Sequence, residues 1–186
     1  ATLKTNIDSA VKAYAQNVTA ETTYKDQMAA LTKGLNYANV YGQLHTDLDK
    51  YGIDISDSTA ASDLESLNVN SSSIFVGTDE YKYDSTNDIY VFGEGDDAKY
   101  IKKSTEDGKT VYSWYKKQLK DGSTDEYEYV ADTANTTAPD AKNFTDYVKS
   151  SKAYASVSAV MKADNADVTD SEIIDKVMSI KSNYIL

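Results

Sequence analysis

Apolar residues recur at steps of three and four over the first fifty residues, which predicts helix with one wide apolar face. The first part of this stripe is formed by Leu3, Ile7, Val11, Tyr14 and Val18. Its second part is formed by Tyr24, Met28, Leu31, Leu35, Ala38, Tyr41, Leu44, Leu48 and Tyr51. The pattern fits one long helix or two helices broken near Thr19–Thr23, because β-branched threonines are poorer helix formers. Gly52 is a natural stop, so we expect a helical segment over residues 1–52.

Short apolar runs bounded by turn residues predict an antiparallel β-meander over residues 73–132. Two of these runs, Ser73–Val76 and Ile89–Phe92, are short, and three longer strands follow them. Before the meander, Ser58–Leu67 fits a short helix with Asp57 or Ser58 as its N-cap. The middle of the chain is therefore expected to be mostly sheet.

Two Asp-Gly pairs, at 107–108 and 121–122, predict two-residue hairpin turns, because such turns need positive φ at their central residues. The first turn places Ile101 opposite Trp114. The second places Trp114 opposite Tyr129. The sequence therefore predicts that Ile101, Trp114 and Tyr129 form one row across three strands, on the buried face of the sheet.

The last part of the chain returns to helical spacing. Asp140–Ala163 is predicted as one helix, and Thr169 or Asp170 begins another, so we expect C-terminal helices over residues 140–186. The order of elements predicts an α+β fold in a single globular domain, residues 1–186. In it, a long N-terminal helix packs on an antiparallel β-meander of three to five strands, with additional C-terminal helices.

The net charge of the chain limits the classes of partner that we expect it to bind. With 19 lysines, no arginine and 30 acidic residues, the net charge is −11. Nucleic acid and anionic membranes select for basic patches, so neither is expected to bind. Arginine is the residue that most often binds phosphate and carboxylate groups through two hydrogen bonds. Its absence therefore makes a site for a nucleotide or an acidic substrate less expected. The chain also has no cysteine, which excludes disulfides, thiol catalysis and thiolate metal sites.

No catalytic motif stands in the chain, so we predict a protein that is not an enzyme, with no catalytic residues and no cofactor. The phosphate-binding patterns G-x-x-x-x-G-K-[ST] and G-x-G-x-x-G are absent, as is the nucleophile pattern G-x-S-x-G. His45 is the single histidine and lies beside the apolar stripe. Because one histidine without cysteine does not make a zinc site, His45 is predicted to be a half-exposed helix residue.

Acidic turns leave calcium as a candidate ion. The candidate ligands are Asp121, Asp125 and Glu126, which surround the second Asp-Gly pair. Calcium prefers oxygen-rich loops of this kind, although no stretch matches the twelve-residue loop with its central Gly and final Glu. The alternative is that these carboxylates are a solvated acidic turn with no metal.

Tyrosine is unusually frequent, with 16 residues against three Phe. Candidates for a platform that binds sugars or a surface are Tyr81, Tyr83, Tyr90, Tyr100, Tyr115 and Tyr127. They would act together if they shared an exposed face with coplanar rings. The alternative is that tyrosine takes the place of Phe in a half-buried sheet.

The first fourteen residues, ATLKTNIDSAVKAY, resemble the soluble half of the long N-terminal helix of type IV pilins and type II secretion pseudopilins. The resemblance covers about the first 18 residues. It implies an N-terminal helix across an antiparallel meander, assembly into a homo-oligomeric filament through that helix, and membrane attachment only through a segment upstream of Ala1. The lack of cysteine is similar to the Gram-positive members of the family.

The resemblance implies an extracellular, cell-surface location and a non-enzymatic structural subunit that could contact a host or polysaccharide surface. Two alternatives stay open. One is a surface adhesin or flagellin-like protein, in which the N- and C-terminal helices form a bundle with the β region as an insert. The other is a Tyr-lined carbohydrate-binding domain.

Overall fold

The computed structural model describes residues 3–19 and 24–186, which divide into two compact units. The helical unit comprises the described residues up to Asn68 together with Val148–Leu186, and the β unit comprises Val69–Tyr147. The β unit is thus inserted in the chain between two helical parts. The predicted α+β class is confirmed. The single globular domain expected over residues 1–186 stays a prediction.

The predicted N-terminal helices are confirmed. The helices are α1 (Leu3–Thr19), α2 (Tyr24–Tyr51), α3 (Ser58–Ser66), α4 (Phe144–Lys149), α5 (Lys152–Asp164) and α6 (Asp170–Ile185). Gly52 ends α2 with a φ of +66°, and the N–H of Ile53 donates to the carbonyl of Leu48 at 2.9 Å, which closes the helix as expected of a glycine stop. The break predicted near Thr19–Thr23 lies largely outside the described residues.

Within the helical unit, α2 packs on α1, α5 and α6. Leu44, Leu48 and Tyr51, at the C-terminal end of α2, are buried there. The elements that contact α2 within its own unit are therefore helices, and the predicted packing of the N-terminal helix on the β-meander stays a prediction. The apolar stripe on α2 indicates that one face of the helix packs against other elements, but it does not indicate whether these elements are strands or helices. Here α2 packs against the apolar faces of α5 and α6, which bury residues such as Val157 and Val177.

The single helix predicted over Asp140–Ala163 is interrupted. A short strand, α4 and α5 occupy this range, and Ser151 begins α5 by accepting a hydrogen bond from the N–H of Tyr154 at 3.0 Å. The Asp63 carboxylate of α3 accepts the N–H groups of the next two residues, Lys152 at 2.9 Å and Ala153 at 2.8 Å. These side chains satisfy the free donors of a new helix start, which is why the helix restarts here.

The β unit is one seven-stranded antiparallel sheet, larger than the predicted three to five strands. The strands are β1 (Ile74–Val76), β2 (Asp79–Asp84), β3 (Ile89–Phe92), β4 (Lys99–Glu106), β5 (Lys109–Leu119), β6 (Tyr127–Ala131) and β7 (Ala141–Asn143). Their order across the sheet is β6-β5-β4-β3-β2-β1-β7. The two unpredicted strands are β2, whose sequence is strongly charged, and the three-residue β7, which pairs back onto β1.

The register predicted from the first Asp-Gly pair is confirmed. Asp107 and Gly108 have φ values of +49° and +76°, and Ile101 lies opposite Trp114. Ile101 is fully buried in a cluster with Ile74 and Tyr81, against which Trp114 packs. The Ile101–Trp114 face is therefore the buried face, as predicted.

The register predicted from the second Asp-Gly pair is wrong. The strands close through the N–H of Lys120, which donates to the carbonyl of Glu126 at 2.9 Å, so five residues form the loop instead of two. Ser123 Oγ accepts the N–H of Glu126 at 2.9 Å and holds this longer loop. Tyr129 consequently lies opposite Lys117 and not opposite Trp114. Because the shift is an odd number of residues, Tyr129 moves to the other face of the sheet.

Candidate functional site

The α1–α2 hairpin, defined here as Leu3–Thr19 with Tyr24–Tyr51, exposes large apolar side chains along the helices. Val11 on α1 is 56% exposed, and Leu35 on α2 is 57% exposed. Met28 and Tyr41 are also exposed. Met28 and Leu35 are seven positions apart, which places them on the same side of α2. Met28 and Leu35 therefore form an exposed apolar pair on one side of α2.

A groove of about 320 Å³ runs between the two helices of the hairpin. Its lining is Asn6, Ser9, Ala10, Ala13, Ala30, Lys33 and Tyr37. Most of these residues are small, so the two helices leave a shallow channel between them. Such a channel can accept the ridge of side chains from another helix.

The hairpin differs in charge from the rest of the chain. Residues 1–51 contain five lysines and five acidic residues, so this part is formally neutral. The net charge of −11 consequently falls entirely on residues 52–186. Like charges oppose the approach of two copies of a chain, and the hairpin is the part where this opposition is weakest.

A second surface feature is a cleft of about 630 Å³ in the β unit, called here the β5 cleft. It lies beside Tyr115 of β5, which pairs with Tyr100 of β4 on one side and with Ala131 of β6 on the other. The lining is Gly95, Asp96, Ala98, Lys99, Tyr100, Trp114, Tyr115, Lys116, Lys117, Tyr127, Asp132 and Asn135. The β5 cleft therefore combines aromatic, cationic and carboxylate groups.

The lysines of the β5 cleft were not singled out from the sequence. The stretch Lys99–Lys120 contains seven lysines against two acidic residues, in a chain that is otherwise acidic. Among the described residues, Lys99, Lys116 and Lys117 form no ion pair. Lys117 Nζ instead lies 4.6 Å from the centroid of the Tyr127 ring. Local charge counting along the chain would have found this basic stretch.

The six candidate tyrosines do not share one face. Register places Tyr81, Tyr83 and Tyr90 on the Ile101 face, and places Tyr100, Tyr115 and Tyr127 on the opposite face. Tyr81 is 1% exposed and belongs to the core of the sheet, which is the Phe-like role considered above. Tyr129, missed because of the shifted register, joins the second group and meets the Tyr100 ring edge-on at 5.1 Å.

Tyr83 belongs to a polar cluster at the β2–β3 turn. Its hydroxyl donates to Asp88 Oδ1 at 2.8 Å, and Lys102 Nζ donates to Asp88 Oδ2 at 2.6 Å. The hydrogen bonds from Lys102 and Tyr83 lower the pKa of Asp88. Asp88 also has a φ of +50°, so the cluster holds a turn residue in the left-handed region. These contacts explain the arrangement as a structural brace of the turn.

The calcium candidates Asp121, Asp125 and Glu126 lie in the five-residue loop and its closing pair. Glu126 Oε2 forms an ion pair with Lys120 Nζ at 3.1 Å, and Asp125 Oδ1 accepts the hydroxyl of Ser123 at 3.2 Å. In the part of the chain that the structure describes, no three acidic or histidine side chains converge as metal ligands would. Asp125 and Glu126 therefore interact with neighbouring residues of the same loop.

His45 is exposed, and its ring is stacked parallel to that of Tyr41 with centroids 6.4 Å apart. Its Nε2 lies 3.4 Å from Asp49 Oδ2, one helical turn further along α2. These are neighbours on a helix surface, as the sequence position of His45 predicts.

Comparison of the chain with protein-family models, with curated proteins and with solved structures finds no match in any of the three. Among residues 3–19 and 24–186, no helix combines the length and the apolar character that crossing a bilayer requires. The α1–α2 hairpin and the β5 cleft are therefore the two surfaces that are candidates for a function.

Proposed function

We propose that this chain is a non-enzymatic structural subunit that assembles with copies of itself through the α1–α2 hairpin. The observation that carries the proposal is that Met28 and Leu35 are open to solvent on one side of α2, while Val11 is open to solvent on α1. Large exposed apolar side chains that share one side of a helix are typical of interaction surfaces. The groove between the helices is a separate feature, since its α2 residues Ala30, Lys33 and Tyr37 lie roughly half a turn around the helix from Met28 and Leu35.

The dimensions of the hairpin suit pairing between copies. The 28 residues of α2 give a helix about 42 Å long, since each residue adds about 1.5 Å. Two such hairpins side by side form a four-helix arrangement with apolar side chains between the pairs. A stable contact needs about 1,200–2,000 Å² of total buried surface, which helices of this length can supply.

Charge favours a second copy as the occupant. The formally neutral hairpin can meet its own copy without the repulsion that the remaining residues, which carry −11, would create. A strongly basic partner would instead be drawn to the acidic remainder of the chain. The hairpin thus suits self-association better than capture of a charged partner.

Assembly through N-terminal helices is also what the pilin resemblance implies, so we extend the proposal to a filament subunit at the cell surface. The packing of α2 with α5 and α6, and the insertion of the β unit in the chain, favour the helical-bundle version of this idea. In that version the helices assemble while the inserted β unit carries surface functions. The pilin version requires about twenty apolar residues in the gene upstream of Ala1.

Sedimentation velocity over a series of protein concentrations tests the assembly. We expect the wild-type chain to shift to larger species as concentration rises, and we expect Leu35→Asp to stay monomeric with an unchanged circular-dichroism spectrum. Leu119→Asp is the matched control, because Leu119 is a comparably exposed leucine on β5, outside the hairpin. A wild-type chain that stays monomeric at all concentrations, or variants that behave alike, would contradict the proposal.

A further inference from the structure

We infer that the β5 cleft binds an acidic polysaccharide whose carboxylates are spaced along the chain and not carried on every unit. The inference concerns a different unit of the molecule from the hairpin and does not depend on self-association. It starts from the combination of groups in the cleft: tyrosines at 100, 115 and 127, lysines at 99, 116 and 117, and carboxylates at 96 and 132.

The aromatic groups suit sugar rings. The apolar C–H face of a pyranose stacks on an aromatic ring, so an accessible tyrosine is a suitable platform. Tyr127 is 53% exposed, and Tyr100 and Tyr115 lie half-buried beside each other across β4 and β5. The Tyr100 ring is also held edge-on by Tyr129 at 5.1 Å, which fixes its orientation. A preorganised aromatic group loses less side-chain entropy when a ligand binds.

The lysines supply the recognition of negative charge. Lys99, Lys116 and Lys117 form no ion pair among the described residues, whereas Lys102 of β4 and Lys120, which follows β5, are paired with Asp88 and Glu126. Register places Lys117 on the face of the three tyrosines and places Lys99 and Lys116 on the Ile101 face, so the two faces contribute to the cleft at the ends of β4 and β5. Ammonium groups without a carboxylate partner are free to donate charge-assisted hydrogen bonds to a ligand. Lys117 lies over the Tyr127 ring at 4.6 Å, which places a cation directly at an aromatic platform.

The carboxylates in the cleft make some classes of polyanionic ligand more suitable than others. Asp96 and Asp132 lie in the same cleft as the three lysines, so the formal charge of the cleft is only slightly positive. A strand of nucleic acid carries a phosphate on every nucleotide and would meet these carboxylates repeatedly. A glycan with a uronic acid on alternate sugars offers hydroxyl donors to the carboxylates and carboxylates to the lysines. The arrangement therefore favours the glycan.

Isothermal titration calorimetry of the full chain with a hyaluronan octasaccharide, a glycan with uronic acid at every second sugar, tests the inference. We expect measurable binding that weakens with added salt, and no binding of a neutral dextran oligosaccharide of the same length. Lys116→Glu with Lys117→Glu should weaken binding about tenfold or more, because charge-assisted contacts are the stronger class.

Lys103→Glu with Lys109→Glu is the matched control, since it makes the same charge change on β4 and β5 but outside the cleft, whereas Lys116 and Lys117 both lie on β5. We expect this control to change affinity less than about twofold, as expected of distant screened charges. Tyr127→Ala should also weaken binding without changing the fold. No binding to the octasaccharide, equal weakening by both lysine pairs, or tighter binding of a dT octanucleotide would overturn the inference.

Discussion

In the C-terminal half of α2, Leu44 and Leu48 are 3% and 7% exposed, whereas Met28 and Leu35 in the N-terminal half are 40% and 57% exposed. Both pairs lie on one continuous helix, but Leu44 and Leu48 point roughly to the opposite side of α2 from Met28 and Leu35. Leu44 and Leu48 are buried among the helices of their unit, whereas Met28 and Leu35 contact solvent. Apolar spacing therefore indicates a helix, but it does not decide which of its apolar side chains the chain itself covers.

The largest expected effect is in the C-terminal half. Leu48→Ala should lower the free energy of unfolding by about 2–5 kcal/mol, because it leaves a cavity among packed helices. Urea denaturation followed by circular dichroism measures this change. A loss below about 0.5 kcal/mol, the range of surface substitutions, would mean that this half of α2 is not a core element.

The next effect concerns the buried charge in the same half. Asp47 is 4% exposed, its Oδ1 lies 3.7 Å from Lys176 Nζ on α6, and its buried Oδ2 has no hydrogen-bond partner among the described residues. Lys176→Met should therefore destabilise the protein by about 1–3 kcal/mol, because it leaves a buried carboxylate without its cation. The same urea titration measures it.

The double variant Asp47→Leu with Lys176→Met separates the contribution of the ion pair to stability from the contribution of side-chain packing. Replacing both members of a buried ion pair by apolar groups is often neutral or stabilising. We expect the double variant to regain at least the loss caused by Lys176→Met. A double variant that is less stable than Lys176→Met would show that this contact between α2 and α6 depends on the pair itself.

In the N-terminal half, the same kind of truncation should have little effect on stability. Leu35→Ala at low protein concentration should change the free energy of unfolding by less than about 0.5 kcal/mol, because Leu35 already contacts solvent. A destabilisation comparable to that of Leu48→Ala would remove the contrast between the two halves.

The smallest effect is expected on acidification, at the start of α6. Asp170 accepts hydrogen bonds from Lys149 Nζ and from Tyr154 Oη, and these bonds lower its pKa in the folded protein. A lowered folded pKa stabilises the protein above the unfolded pKa of about 3.9 and ceases to do so as pH falls through the folded value. The melting temperature of wild type should therefore exceed that of Asp170→Asn at pH 6, and the difference should shrink as pH falls below the unfolded pKa of about 3.9. A constant difference across this range would contradict the assignment.

Some of this structure follows from the sequence because the signals are local. The bounds of α2 agree with its apolar stripe and Gly52, and Thr169, one of the two predicted caps, begins α6, where Glu172 completes a capping box. The Asp107-Gly108 turn set the register of β4 and β5 correctly, because both residues adopt the positive φ that a two-residue turn needs.

The predictions are wrong where the local structure depends on side chains outside the predicted motif. At Asp121-Gly122 only the glycine has positive φ, and Ser123 Oγ and the Lys120–Glu126 pair extend the loop, which moved Tyr129 to the other face. Asp63, nearly ninety residues away in the chain, accepts the first N–H groups of α5 and accounts for a helix start that periodicity did not predict. The β5 cleft was predicted only in part: Tyr100, Tyr115 and Tyr127 were among the candidate platform residues, whereas the local excess of lysines beside them was not counted.

The most direct test of the uncovered half of α2 uses the absence of cysteine from the chain, which allows one spin label to be placed at a chosen residue. Leu35→Cys and Leu119→Cys would each be labelled, and distances between copies measured by double electron–electron resonance at a concentration where assembly occurs. Pairing of hairpins predicts a narrow intermolecular distance distribution for the label at position 35 and only a featureless background for the label at 119. A featureless background at position 35, or equal distributions at both positions, would contradict assembly through the α1–α2 hairpin.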